Sequence, residues 1–196
     1  YQLDPLIARL IRNRDVVSDE EIHSYLYGTM KDVSDPLLLK GAKETAEILE
    51  KKIREEKKIR IISDYDVDGV MSNYILWKAL TDLGGIVDFT IPNRMKDGYG
   101  INQSLVSRAV KDGIDTIITC DNGISAGEAV KYGREQGLTM IVTDHHEIPF
   151  EELPDGTRRE ILPEAHVVVD PKQKECHYPY PLLCGAGVAF QLMRAL

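Results

Sequence analysis

The chain has 196 residues, 43% of them hydrophobic, and 24 lysines and arginines against 32 aspartates and glutamates, for a formal net charge of −8. That is enough apolar material for a buried core. No apolar run approaches the roughly 20 residues of a membrane span, and the N-terminus lacks the basic and apolar regions of a secretory signal, so neither a membrane nor an exported protein is expected. Three cysteines, Cys120, Cys176 and Cys184, are too few and too odd in number for a disulfide scaffold and point to a reducing cytoplasm.

Residues 1–57 contain no strand pattern and are expected to form a helical N-terminal extension. Leu6, Ile7, Leu10 and Ile11 recur at helical spacing, and Ser18-Asp19-Glu20-Glu21 is a capping box that opens a second helix carrying Ile22 and Leu26. A third helix is predicted over 42–57. Ala42, Ala46, Leu49 and Ile53 share one face, and Glu47–Lys51 and Glu50–Arg54 pair at i, i+4 on the other. The charge run at 51–58 accordingly reads as a solvated helix face and not as a nucleic-acid patch.

From residue 58 onward strands and helices alternate. Strands are predicted up to Ile62 and over 86–91, 114–120, 138–142 and 167–169, with helices over 69–83, 102–111 and 125–136. Apolar strands separated by single helices predict an α/β fold, a doubly wound, mainly parallel sheet with helices on both faces, so 58–196 is expected to be one domain. The longest irregular stretches, 94–101 and 145–165, leave the strand C-termini, which suits substrate-facing loops. The chain starts at Tyr1 without a methionine and stops at Leu196 inside an apolar stretch that reads as an unfinished helix, so an excised piece of a longer protein is expected.

Four strand-like segments end in Asp or His. These are Asp64-Tyr65-Asp66-Val67-Asp68-Gly69, Asp121-Asn122-Gly123, Asp144-His145-His146 and Asp170-Pro171. In a parallel sheet the strand C-termini share one rim, so these groups converge there. Three alternating aspartates are unfavourable without a cation. A helix cap at Asp64 or Asp68 explains one of them, with Gly69 allowing a tight turn. Asp121-Asn122-Gly123 alone is an ordinary turn, but it follows a buried strand and precedes a helix that Ser125 could cap.

Histidine is the commonest protein metal ligand, and a neighbouring carboxylate such as Asp144 can fix its tautomer. A carboxylate site with one or two imidazoles suits Mn²⁺ or Mg²⁺, two ions roughly 3.5–4 Å apart, which would support hydrolysis of a phosphate ester. A zinc site using Cys176, His177 and Cys184 is a competing reading that lacks a second close Cys or His pair; Cys120 is expected to pack as a small apolar residue. No phosphate-cradling Gly-x-x-x-x-Gly-Lys loop and no dinucleotide-binding Gly-x-Gly-x-x-Gly is present. The net charge of −8 disfavours a protein that grips many phosphates unaided, so positive charge would have to come from local arginines, bound metal or another part of the protein.

In that order the four acidic and histidine segments resemble the motifs of the DHH phosphoesterase superfamily. Within it, Ile91-Pro92-Asn93-Arg94, Gly98-Tyr99-Gly100 and Cys184-Gly185-Ala186-Gly187-Val188-Ala189-Phe190 resemble the RecJ-type single-stranded-DNA-specific exonucleases. The resemblance implies that Asp66 binds one metal with help from Asp64, that Asp68 binds the other, that Asp121 bridges both, and that His145 and Asp170 complete the ligand set of that second ion. It places His146 against the scissile phosphate and Arg94 against substrate phosphate, and Tyr99 offers a ring on which a base can stack. Relatives outside the exonuclease branch often carry His where this chain has Ile62. The resemblance also implies C-terminal domains beyond these residues, one bearing a glycine-rich motif and basic residues, with single-stranded DNA held between the domains.

Three functions compete on this reading: a 5′ to 3′ single-strand DNA exonuclease in the cytoplasm acting in repair and recombination; a phosphoesterase for short oligonucleotides, cyclic dinucleotides or pyrophosphate; and a catalytically dead scaffold. The Arg94–Tyr99 pair favours the first over the second, and filled acidic and His positions disfavour the third.

Overall fold

A computed structural model describes all 196 residues as two compact units, Tyr1–Asp35 and Pro36–Leu196. In the first, helix α1 (Pro5–Arg12) begins where the Asp4 carboxylate accepts the Leu6 amide and Pro5 occupies a position whose N–H would go unused. Helix α2 (Asp19–Tyr27) opens on the predicted capping box, in which Ser18 Oγ accepts from the Glu21 amide and the Glu21 carboxylate from the Ser18 amide. Of the apolar residues of α1, only Ile11 is buried; Leu6, Ile7 and Leu10 stay exposed.

The second unit runs α3 (Ala42–Arg54), β1 (Lys58–Ser63), α4 (Val67–Asp82), β2 (Ile86–Thr90), α5 (Gln103–Lys111), β3 (Thr116–Cys120), α6 (Gly127–Glu135), β4 (Thr139–Thr143), β5 (Phe150–Glu152), β6 (Arg158–Glu160), β7 (Val167–Val169) and α7 (Gly185–Ala195). Five strands form one parallel sheet in the order β2-β1-β3-β4-β7. Side chains alternate across it with period two. Ile59, Ile61, Ile118, Cys120, Ile141, Val167 and Val169 join the core under α3, α4 and α7, while Ile62, Ile117, Met140 and Val142 join the core under α5 and α6. Burial on both faces is why these strands read as continuous apolar runs, and it makes the sheet doubly wound as expected. The strand order reverses between β1 and β3, the switch point at whose C-terminal side such sheets hold ligands.

Several local expectations are corrected. Helix α4 begins two residues earlier than predicted, and its cap is Asp66, whose Oδ1 accepts the Gly69 amide at 2.9 Å; neither Asp64 nor Asp68 caps it. Gly69 lies inside the helix, and it is required there because a Cβ would sit 2.5 Å from the Asp64 carbonyl oxygen. Ser125 does not cap α6. The chain first turns, with the Ala126 amide donating to Gly123 O, and α6 starts at Gly127 without a side-chain cap.

Part of the 145–165 stretch is an antiparallel hairpin of β5 and β6, too short and too charged to show an alternating pattern. In the 51–58 charge run, Lys51 is solvated and pairs with Glu55, while Lys52 is mostly buried and binds Asp115 at 2.6 Å, tying α3 to the start of β3. No helix is long and apolar enough to cross a membrane.

Candidate metal centre

Each acidic or histidine segment leaves the C-terminal end of a sheet strand: Asp64 and Asp66 after β1, Asp121 after β3, Asp144 to His146 after β4, and Asp170 after β7. Two groups of potential ligands result. Asp64, Asp66 and Asp121 bring one oxygen each within 4.8 Å of one another, and so do the ligand atoms of Asp121, His145 and His146. Asp121 belongs to both and lies at the β1/β3 switch point. Its backbone is left-handed, with φ of +59°, an uncommon conformation that Asp tolerates better than most residues and that functional sites retain.

Asn122 holds this turn. Its buried side chain donates to Ile62 O at 3.0 Å and Cys120 O at 2.9 Å, and its Oδ1 accepts the Ile101 amide at 3.0 Å. It thus closes the ends of β1 and β3 and anchors the loop before α5. Gly100 packs on it with φ of +62°, where a Cβ would stand 3.1 Å from the Asn122 side chain. Sequence reasoning gave Asn122 no role, because Asn-Gly is so common in turns that nothing local distinguishes this one.

Asp144 organises the histidines. Its Oδ1 lies 2.7 Å from His146 Nδ1 and accepts the His145 amide at 2.8 Å, and its Oδ2 accepts the Ile124 amide at 2.9 Å. An ionised carboxylate there takes the Nδ1 proton as donor, which fixes the His146 tautomer. Two predicted ligands lie outside both groups. Asp68 gives its oxygens to the Gly185 and Ala186 amides at the start of α7, at 2.7 and 2.8 Å, a favourable place for a negative charge, and lies 3.4 Å from His145 Nε2. Asp170 is fully buried, with one oxygen accepting the Lys172 amide at 2.8 Å.

The electrostatics are those of uncompensated negative charge. Burial, then Asp68 and Asp66, push the Asp121 carboxyl up to about 8. Burial pushes Asp170 up to about 7 against the Lys172 amide, and burial also raises Asp64. Asp144 goes the other way: burial raises it, but hydrogen bonds from His146, Ile124 and His145 outweigh that and hold it low. Burial and His146 lower His145, keeping it neutral and able to donate a lone pair, while Asp144 raises His146. Asp64 Oδ1, Asp121 Oδ1 and Asp170 Oδ2 are buried without a hydrogen-bond partner; His145 Nε2 approaches Asp121 Oδ1 to 2.9 Å without hydrogen-bond alignment. Orphaned buried carboxylate oxygens beside a neutral imidazole fit divalent cations that accept oxygen and nitrogen ligands. Neither group includes Cys176, His177 or Cys184.

A chain of rings leads away from the carboxylates. The Arg94 guanidinium lies 5.5 Å from the Tyr65 ring centre, Tyr65 meets Tyr99 edge to face at 6.4 Å, and Tyr99 meets His146 edge to face at 6.3 Å. The Tyr99 hydroxyl donates to Asp121 O at 3.3 Å, and burial raises its pKa.

The sequence profile of the DHH family, N-terminal domain, matches residues 58–196. The chain is 40% identical over 194 residues to the single-stranded-DNA-specific exonuclease RecJ of Bacillus subtilis (strain 168), covering 99% of this chain and 23% of that protein. It is 37% identical over 196 residues to the corresponding RecJ of Escherichia coli (strain K12), covering 100% of this chain and 32% of that protein. Among solved structures, exonuclease RecJ bound to manganese superposes with a TM-score of 0.65 at 36% identity, over 81% of this chain and 37% of that one. The chain thus spans about a quarter to a third of the length of these curated relatives.

Proposed function

The chain belongs to the DHH family, and on that premise we propose that it is the metal-bearing catalytic part of a 5′ to 3′ single-strand DNA exonuclease that hydrolyses phosphodiester bonds. The observation that carries this reading is the pair of ligand groups sharing Asp121 at the sheet's switch point. RecJ relatives that match nearly the whole chain, and a RecJ solved with manganese that matches 81% of it, support it.

Residues Asp64, Asp66 and Asp121 would hold one divalent cation, Mn²⁺ or Mg²⁺, and Asp121 and His145 a second, with Asp68 and Asp170 at its margin. Such cations supply charge neutralisation at a phosphodiester and acidify water. The chain's own part is to orient. Asp144 holds His146 with its raised proton affinity, so that the imidazolium can hydrogen-bond a phosphate oxygen where charge develops. Asn122 fixes the turn that presents Asp121, and the Tyr99 hydroxyl ties the substrate loop to the Asp121 carbonyl. Arg94, carried at the end of the ring chain, reaches phosphate further along the strand.

In this reading 58–196 is the catalytic domain and 1–57 a helical extension, and the cell context is cytoplasmic DNA repair and recombination. The test is nucleotide release with Mn²⁺ from single-stranded, duplex, 5′-labelled and 3′-labelled oligonucleotides. Release from the 5′ end of single strands alone is expected. Preferential turnover of dinucleotides, cyclic dinucleotides or pyrophosphate would replace the exonuclease with a small-substrate phosphoesterase.

A further inference from the structure

A cavity of about 590 Å³ opens beside His146, lined by Tyr99, Ile101, Ile124, Ser125 and Ala126. Its size falls within the roughly 300–1,000 Å³ usual for small-ligand sites. No lysine or arginine lines it, so it is not built for a phosphate. Asp144 reaches its edge, but both oxygens of that carboxylate are already engaged by His146 and by backbone amides. What remains is an exposed aromatic ring, three aliphatic side chains and one hydroxyl. Ser125 is exposed and caps nothing, so its hydroxyl stays available to a ligand.

These surfaces suit a flat, neutral heteroaromatic ring with polar edges. His146 lines the cavity, and the proposed function, on which this step rests, sets His146 against the scissile phosphate. A ring that reaches the cavity is therefore one attached to that phosphate through a sugar. We infer that the cavity receives one unpaired nucleobase, that of the nucleotide flanking the scissile phosphate. Tyr99 supplies the aromatic surface, Ile101, Ile124 and Ala126 exclude water, and Ser125 meets the base edge. A base received there between Tyr99 and Ser125 leaves its helical stack, so a duplex must first surrender a pair. Selection for single strands would then reside partly in this domain.

The test compares ligands that share a phosphate and differ in the base. With Mn²⁺ present, deoxyadenosine 5′-monophosphate and deoxyribose 5-phosphate are titrated calorimetrically into the chain. Stacking on one ring predicts that the nucleotide binds about ten-fold more tightly. Filling the cavity by Ser125→Trp, or more gently by Ala126→Leu, should erase that difference and leave Mn²⁺ and deoxyribose 5-phosphate binding unchanged. Equal affinity of the two ligands in the unaltered chain overturns the inference whether or not either variant folds, and so does a difference that survives both substitutions. A chain that prefers the nucleotide in binding, within a full-length protein that hydrolyses no strand, would keep the cavity's assignment and overturn the exonuclease. Hydrolysis that is equally fast when the terminal base is missing would do the reverse.

Discussion

The two ends of the central sheet treat acid in opposite ways. Around Arg60 and toward the strand N-termini three aspartates have basic partners: Lys52 binds Asp115 at 2.6 Å, and Arg60 binds Asp112 at 2.7 Å and Asp88 through two nitrogens at 2.7 and 2.6 Å. At the C-terminal rim Asp64, Asp66, Asp121, Asp144 and Asp170 crowd together, and no lysine or arginine pairs with any of them. The same residue type is structural where the chain supplies its counter-charge. Where the chain withholds it, burial first and then neighbouring carboxylates raise the proton affinities of Asp64, Asp121 and Asp170, which marks the place for a cation from solution.

The largest effect that tests this contrast comes from Asp121→Ala. It removes the carboxylate common to both ligand groups, so Mn²⁺-dependent nucleotide release should fall to background, whereas Asp64→Ala should retain measurable turnover. Near-normal rates for both variants would break the metal assignment.

Next comes the pH dependence of the metal-free chain. Asp121 and Asp170 have folded pKa values raised to about 8 and about 7, so the native state holds protons that the unfolded chain loses near 4. Their contribution is full below the unfolded value, and stability declines as pH rises through the folded values. Mn²⁺ reverses that loss, because it binds the native state and displaces those protons. The melting temperature should gain more from Mn²⁺ at about pH 8 than at about pH 5, as thermal melts with and without the ion will show. A gain that shrinks as pH rises would contradict the charge argument.

A smaller effect is expected at Asn122. Asn122→Ala cuts the tie between the β1 and β3 ends and the substrate loop, and a roughly ten-fold loss in kcat/KM, carried mainly by KM, is expected with Mn²⁺ affinity little changed. Steady-state kinetics beside a Mn²⁺ titration separates this from a ligand's role. The smallest effect is at the opposite end. Arg60→Ala should cost about 1–3 kcal/mol in denaturant melts and leave Mn²⁺ binding intact, since its hydrogen bonds reach only Asp88 and Asp112.

The difference between the ends was readable in sequence only at the rim. Doubly buried strands such as β3, with all five residues buried, announce themselves as apolar runs, and acids at their ends are then placed by topology. The Ser18 capping box was equally legible, because its pattern is local. What escaped depends on distance in space. Asp66 caps α4 in place of its neighbours, and Asp68 finds its amide partners 117 and 118 residues away. The hairpin of β5 and β6 buries too little to leave a periodic trace, and Lys52 looked solvated because Asp115 is remote in sequence.

Gly185 shows how far such a site extends beyond the side chains that would touch an ion. A Cβ at this position would stand 2.8 Å from the Asp121 carboxylate, while the Gly185 amide binds Asp68. The start of α7 is therefore a wall moulded against the centre, and at residue 185 it has no space for even a single methyl group. An engineer reshaping this domain for another ion or substrate could vary Phe190, the one exposed side chain of α7, yet would find residue 185 as restrictive as any ligand.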